Sequence, residues 1–385
     1  MTTELELLQR LRSTPEVFEA IVRLNGSDLA TQQQLRREFD ADVVRAALAV
    51  HDARQRAVGV LPNAESLWLT GTGLEQATHP MIAAHKASRF PADVSVLDLC
   101  CGIGCDASAL AARGPVVAVE SDEAMLRRCN WNLDVWGTKE VEFRHDDAAI
   151  LDINDQWIHV DPDRRNGRPR PTKRLEQYSP DLAWMQQTVR TAKGGAIKIG
   201  PASNFMQKFP GCEIELVSLH QECREATVWF GGLAVTEQFR ATVLPSGETI
   251  AGDPLAAYAD AAVEPLKYIC NPDPAVVRSG LIDTVCERFA LRRLDPEEEY
   301  LTTDQLPETR FVTSFEVESV LPNNQKQLRQ YLRQCPGRYY EVKCRRLPID
   351  AAAITRRLPT GGDIPKVVFF LRSEGKARIV VARRC

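Results

Sequence analysis

No stretch of this 385-residue chain is apolar for long enough to cross a bilayer, so helical membrane spans are not expected. The opening residues, Met-Thr-Thr-Glu-Leu-Glu, have neither a basic start nor an apolar run, and no secretory signal is expected there. The 11 cysteines include no Cys-x-x-Cys pair. Cys100 and Cys101 are adjacent, while Cys286 and Cys344 sit in apolar runs. That usage fits buried thiols in a reduced, cytoplasmic protein without a metal site better than a disulfide framework. What remains is 44% hydrophobic and 26% charged residues, as in a soluble globular protein, on a chain long enough for two or three domains.

The net charge of −4 hides an asymmetry. Pro322 to Cys385 hold 15 Lys and Arg against 4 Asp and Glu, whereas residues 1 to 321 hold 33 basic and 48 acidic residues. A basic C-terminal module on an acidic body points to a polyanion partner, with a solvated basic surface as the alternative.

The chain is organised around Val94–Asp106, Val-Ser-Val-Leu-Asp-Leu-Cys-Cys-Gly-Ile-Gly-Cys-Asp. Its first six residues read as a strand buried on both faces, Gly102 and Gly104 as a turn, and the alanine-rich Ala107–Ala112 as a helix. Strand, glycine turn and helix make the nucleotide-binding corner of an α/β, doubly wound sheet. Gly102-x-Gly104-x-x-Ala107 also fits the dinucleotide fingerprint, with Glu120 at the distance of the ribose acid. Asp98 argues against a dinucleotide, because a carboxylate just before the turn would face the pyrophosphate. It suits instead a ligand carrying a sulfonium and an ammonium. On these residues the chain resembles the class I methyltransferases dependent on S-adenosylmethionine, with Asp98, Gly102 and Gly104 in that family's first motif. Cys100 stands where many members have another glycine.

The resemblance implies a Rossmann-like seven-stranded sheet and a set of cofactor residues. Gln76 and Thr78, ahead of the first strand, fall where members line the methionine end; a capping turn with Thr78 as helix N-cap is the alternative. Glu120 ends the second strand, Pro115–Glu120, as the acid for the ribose hydroxyls. Asp147 after the third strand matches the acid for the adenine amino group, with Asp146 as backup and helix capping as the alternative. Cys100 is grouped with these cofactor residues. The fourth strand, Gln156–Val160, delivers Asp161-Pro162-Asp163-Arg164 to the carboxyl edge of the sheet. Methyltransferases acting on nitrogen often carry Asp/Asn-Pro-Pro-aromatic there. Asp161 and Pro162 keep the pattern, Asp163 and Arg164 depart from it, and the four together are the candidate catalytic residues. The loop Arg164–Arg174 has six basic residues in eleven and reads as an anion-gripping loop over the site.

Around this core, residues 1–73 read as a helical cap, with Asn25-Gly26 between two of its helices. The methyltransferase pattern covers 74–235, and 236–264 is a hairpin and linker. Residues 265–385 form a smaller α+β domain. That domain resembles the THUMP-like domain attached to some bacterial methyltransferases, through its Asp-Pro-Ala helix start, Tyr300-Leu-Thr-x-Asp304 and Tyr339-Tyr-Glu-Val-Lys-Cys-Arg345. THUMP domains bind RNA, so the expected activity is methylation of a nitrogen of an RNA nucleotide, in tRNA or rRNA. Methylation of a protein or small molecule, and a non-catalytic RNA-binding protein on the same fold, are the alternatives. Asn130 and Asn132 are expected to face solvent.

Overall fold

A computed structural model describes residues 3–24, 29–235 and 238–385; the expected Asn25-Gly26 break lies outside the described residues. The chain divides into two compact units, residues 1–212 with 227–234, and residues 213–226 with 235–385.

The first unit opens with α1 (Glu4–Arg12), α2 (Glu16–Leu24), α3 (Leu29–Leu35) and α4 (Ala41–Ala57). Thr3 and Glu6 close a reciprocal capping box at the start of α1. Val17, Ile21, Leu35, Val44 and Ala47 share one apolar cluster, the buried stripes of these short helices. Then α5 (Gly71–Gln76) and α6 (Pro80–Arg89) lead into β1 (Val96–Leu99). The alternation continues with α7 (Cys105–Ala111), β2 (Val116–Glu120), α8 (Glu123–Trp136), β3 (Val141–His145), β4 (Trp157–Val160), α9 (Leu182–Thr191) and β5 (Gly194–Ile199).

In this unit the strands run β3-β2-β1-β4-β5, followed by the Thr227–Gly231 end of β7 (Glu222–Gly231). β1 is parallel to β2 and to β4, and the order reverses at β1, so the carboxyl ends of β1 and β4 flank the crevice where ligands of such sheets bind. Two expectations are corrected. The N-cap of α6 is His79, whose ring accepts from Met81 N, and not Thr78. Asn132 is fully buried: its carbonyl accepts from Trp68 N at 2.7 Å and its amide donates to Ile103 O at 3.0 Å. Its helical position carries it under the glycine turn, where loop backbone needs a two-sided partner.

The second unit holds β6 (Glu213–Leu219), β8 (Phe239–Leu244) and β9 (Glu248–Gly252) in the order β6-β8-β9. It continues through β10 (Tyr268–Pro272), α10 (Pro274–Ser279), α11 (Ile282–Phe289), β11 (Arg292–Arg293), β12 (Leu301–Thr303) and β13 (Val312–Pro322). The chain ends with α12 (Gln325–Gln334), β14 (Tyr340–Cys344), α13 (Ala351–Thr355), β15 (Lys366–Ser373) and β16 (Lys376–Arg384). The helical stretch that starts at Asp273-Pro274 is split into α10 and α11 where Gly280 takes φ +78°. A seven-stranded sheet runs β11-β12-β10-β13-β16-β15-β14. The period-2 alternation of β15 sends Val367, Phe369 and Leu371 to one core, and Val368 and Phe370 to another beneath Leu328 and Leu332 of α12 and Ile354 of α13.

Candidate active site

A cavity of about 340 Å³ opens at the carboxyl ends of β1, β2 and β4, within the roughly 300–1,000 Å³ typical of small-molecule sites. Its floor is the turn between β1 and α7. Gly102 there has φ +55°, and a Cβ on it would meet nothing closer than Cys100 O at 4.0 Å, so the glycine leaves room for a ligand against the backbone. Cys100 also lines the cavity and takes φ +59°. It holds without glycine the left-handed backbone that a glycine would adopt freely, at a cost of order 1 kcal/mol. Gly104 does not line the cavity. It turns the chain into α7 at φ +95°, and a Cβ there would lie 2.9 Å from Cys129 Sγ, so its role is close packing against α8.

Glu120 stands at the end of β2 on the cavity wall. Its Oε1 accepts from Ser121 N at 2.9 Å and Asp122 N at 3.2 Å, and its Oε2 from Gly102 N at 3.2 Å. Burial pushes its carboxyl above the ordinary value, against the pull of those three backbone donors. Asp147 faces the cavity and also caps the following turn through Ala149 N. Asp146 also lines the cavity and is held by Arg144 at 2.7 Å.

Asp98 is not on the cavity wall, which corrects its placement as the carboxylate facing a cationic ligand. Parallel pairing sets Asp98 beside His159 of β4, on the same face of the sheet. Asp98 is fully buried, with Oδ1 2.7 Å from His159 Nδ1 and Oδ2 without a partner among the described residues. Burial raises its carboxyl, against the His159 hydrogen bond. From His159 a buried chain leads back to the cavity. Lys86 Nζ lies 3.2 Å from His159 Nε2 and 2.9 Å from Asp106 Oδ1, and Thr78 Oγ1 donates to Asp106 Oδ2 at 2.5 Å. Asp106 and Thr78 line the cavity. Burial is the largest single influence and would raise Asp106, but the Lys86 ammonium, His159, Lys198 and the Thr78 hydrogen bond together outweigh it and hold the carboxyl well below the usual range. The carboxylate offered beside the glycine turn is therefore Asp106, eight residues beyond the one the motif suggested.

The segment after β4 closes the other side. Asp161 and Pro162 line the cavity, with Asp161 N bonded to Leu99 O at 3.1 Å. Lys198, on β5, donates to Asp161 Oδ2 at 2.7 Å and to Gln76 O at 2.8 Å. Gln76 lines the cavity and its amide donates to Asp163 Oδ1 at 2.8 Å. Asp163 also accepts from Arg165 N at 2.8 Å and Asn166 N at 2.7 Å. Its carboxylate is engaged in shaping the loop and is not a free catalytic group. Arg165 pairs with Glu75 of α5. Arg164 lines the cavity, and its guanidinium has no ion pair among the described residues.

The described lining thus carries seven carboxylates, from Asp106, Glu120, Asp122, Asp146, Asp147, Asp161 and Asp163, against one cation, Arg164. A cavity of that sign suits a cationic ligand and opposes a pyrophosphate. The thiols of Cys100, Cys101 and Cys105, all on its wall, are raised by burial or hydrogen bonding, which disfavours thiolate chemistry. Among the described residues no cluster of potential metal ligands occurs. Sequence reading missed Asp106, Lys198 and the pair Lys86 and His159. The available signal was a charged or polar side chain inside an otherwise apolar element, as in Ile158-His-Val160 and Ile197-Lys-Ile199.

Strand order, glycine turn and cavity define a Rossmann-like methyltransferase fold. Comparison with known proteins agrees: the methyltransferase domain family matches residues 96–160, and the THUMP domain-like family matches residues 312–384. A crystal structure of a candidate methyltransferase from Porphyromonas gingivalis W83 superposes with TM-score 0.77 at 20% identity, covering 99% of this chain and 98% of the other. Two relatives from Mycobacterium tuberculosis, strains CDC 1551 and H37Rv, are each described as an uncharacterized S-adenosylmethionine-dependent methyltransferase. Each is 35% identical over 335 residues, which is 83% of this chain and 90% of the relative. The chain belongs to the S-adenosylmethionine-dependent methyltransferases, with a THUMP-like domain at its C-terminal end. It is an enzyme, and its cofactor is S-adenosylmethionine.

Proposed function

We propose that the enzyme transfers methyl to a nitrogen of an RNA nucleotide, in tRNA or rRNA, in the cytoplasm. The observation that carries the reading is that Asp161 and Pro162 share one cavity with Glu120, Asp147 and the glycine turn. When bound, S-adenosylmethionine supplies an electrophilic methyl on sulfonium. Glu120 would hold the ribose, Asp147 the adenine amino group, and Asp106 the ammonium. Asp161 Oδ1, which has no partner among the described residues, is left to accept from an acceptor N–H and aim its lone pair.

RNA is supported by the basic module and by analogy with THUMP domains. Part of the module's charge is internally paired, as in Arg383 with Glu316 and Arg384 with Glu341. Lys326, Arg333, Arg356 and Arg357 are exposed and have no ion pair among the described residues, so they remain for phosphates. The cytoplasm is supported by 11 free cysteines. Among the described residues no helix is long and apolar enough to cross a membrane.

The test is incubation with methyl-labelled cofactor and total RNA from a strain lacking the gene, in parallel with protein extract from that strain. Label in one nucleoside, missing from the deletion strain, is expected. Label in protein alone would overturn the RNA reading.

A further inference from the structure

Lysine is out of place at position 198. β5 is buried along its whole length, and a parallel strand covered on both faces is ordinarily an unbroken apolar run. Lys198 is only 8% exposed. Removing an ammonium from water is costly unless it is paired and hydrogen-bonded, and the two acceptors it finds lie on different elements. Gln76 ends α5 and lines the cavity beside Thr78; Asp161 follows β4 and lines the cavity on the acceptor side. Lys198 itself is not on the wall. A second link runs alongside, since the Gln76 amide donates to Asp163, and Asp163 in turn holds the backbone of Arg165 and Asn166.

The geometry points to Lys198 as a positioning residue for methyl transfer: it ties Asp161 Oδ2 to the wall that carries Gln76 and leaves Asp161 Oδ1 to the acceptor. The inference rests on reading Asp161 as the acceptor group. Asp161 has one occupied oxygen and one without a partner among the described residues, so the bridge sets which oxygen meets the acceptor and from where. A carboxylate half-released from its anchor would still bind the acceptor, but would present the nitrogen to the methyl in a spread of orientations. The loss therefore falls on turnover rather than on affinity.

The experiment uses the full chain with Lys198→Met, Lys198→Arg and Asp161→Asn. The probes are S-adenosylhomocysteine in calorimetry, amide hydrogen exchange, and labelled-methyl incorporation into total RNA from the deletion strain. Lys198→Met should bind S-adenosylhomocysteine within about threefold of the parent while kcat falls about 30-fold or more and KM for RNA changes less than about twofold. The amides of Asp161 and of residues 163–167 should exchange about tenfold faster, with those of β1 unchanged. Lys198→Arg should recover part of the lost turnover. Lys198→Met should add less than about threefold to the defect of Asp161→Asn, because both act through one group. Unchanged exchange at Asp161 and 163–167, or kcat within about threefold of the parent, overturns the proposal. If the parent enzyme labels no RNA, the substrate reading fails separately, and the exchange measurement alone decides the role of Lys198. Should Lys198→Met not fold, Lys198→Gln, which keeps a donor without the charge, carries the same expectations.

Discussion

Replacing Glu120 by alanine should weaken cofactor binding by an amount the structure sets. A carboxylate offers about four acceptor sites; three backbone donors, Gly102, Ser121 and Asp122, already occupy Glu120, and the Ser121 hydroxyl adds only a long contact at 3.4 Å that a ribose hydroxyl can displace. About one site is left for a ribose hydroxyl, so the variant loses one hydrogen bond to a charged group, about 1.5–3 kcal/mol. That is roughly a 10- to 150-fold rise in Kd. Titration calorimetry with S-adenosylhomocysteine measures it directly, with a thermal melt run beside it, since the three backbone donors lose their acceptor as well. Ser121 and Asp122 lie at the exposed rim and can turn to water, so most of the loss should appear in affinity. A Kd within about threefold of the parent, at unchanged stability, would refute the assignment of Glu120 as the ribose acid.

Asp98→Ala should behave oppositely. It leaves the buried His159 Nδ1 without its partner, costing about 1–3 kcal/mol of folding stability, while the affinity of the folded fraction for S-adenosylhomocysteine stays near the parent value; urea unfolding and calorimetry separate the two. Gly104→Ala puts a Cβ 2.9 Å from Cys129 Sγ at φ +95° and should cost about 1–3 kcal/mol in the same unfolding assay. Cofactor affinity should fall on acidification from above the ordinary Glu value of about 4.3, because burial raises the Glu120 carboxyl and its charge is lost as pH drops through that raised value; titrations across pH should lack this decline in Glu120→Ala. Removing residues 322–385 would take β14, β15 and β16 out of their sheet, so the basic module is better tested by charge. Arg333→Ser, Arg356→Ser and Arg357→Ser together should reduce the log–log salt slope of RNA binding by about 0.7 for each phosphate no longer neutralised, and an unchanged slope in filter binding would remove these residues from the RNA surface.

The element order around Val94–Asp106 is legible in local signals of the chain. β1, the glycine turn and the ends of β2 and β4 follow from apolar runs of strand length punctuated by Gly102, Glu120 and Asp161-Pro162, while β3, Val-Glu-Phe-Arg-His before Asp147, alternates as an edge strand. Such signals are local: a buried parallel strand needs a continuous apolar run, and a tight turn needs residues that tolerate positive φ. The same local reading put Glu120, Asp147 and Asp161 on one sheet edge, because side chains at the carboxyl ends of parallel strands converge there. Tertiary structure alone decided what each polar side chain does. Whether Asp98 faces a ligand or His159 depends on the register between β1 and β4, which no spacing within either strand specifies. Asp106 holds its charge beside the cavity because α6, β4 and β5 bring Lys86, His159 and Lys198 around it and Thr78 donates to it. Asp163 looks like a catalytic carboxylate in the sequence, but the folded loop turns it onto Arg165 N, Asn166 N and Gln76. Lys198 reads as a lone charge in a strand until α5 and the loop after β4 close on it from both sides. Burial of a charge is affordable only where distant segments supply its partners, so the roles of these residues belong to the fold and not to their neighbours in the chain.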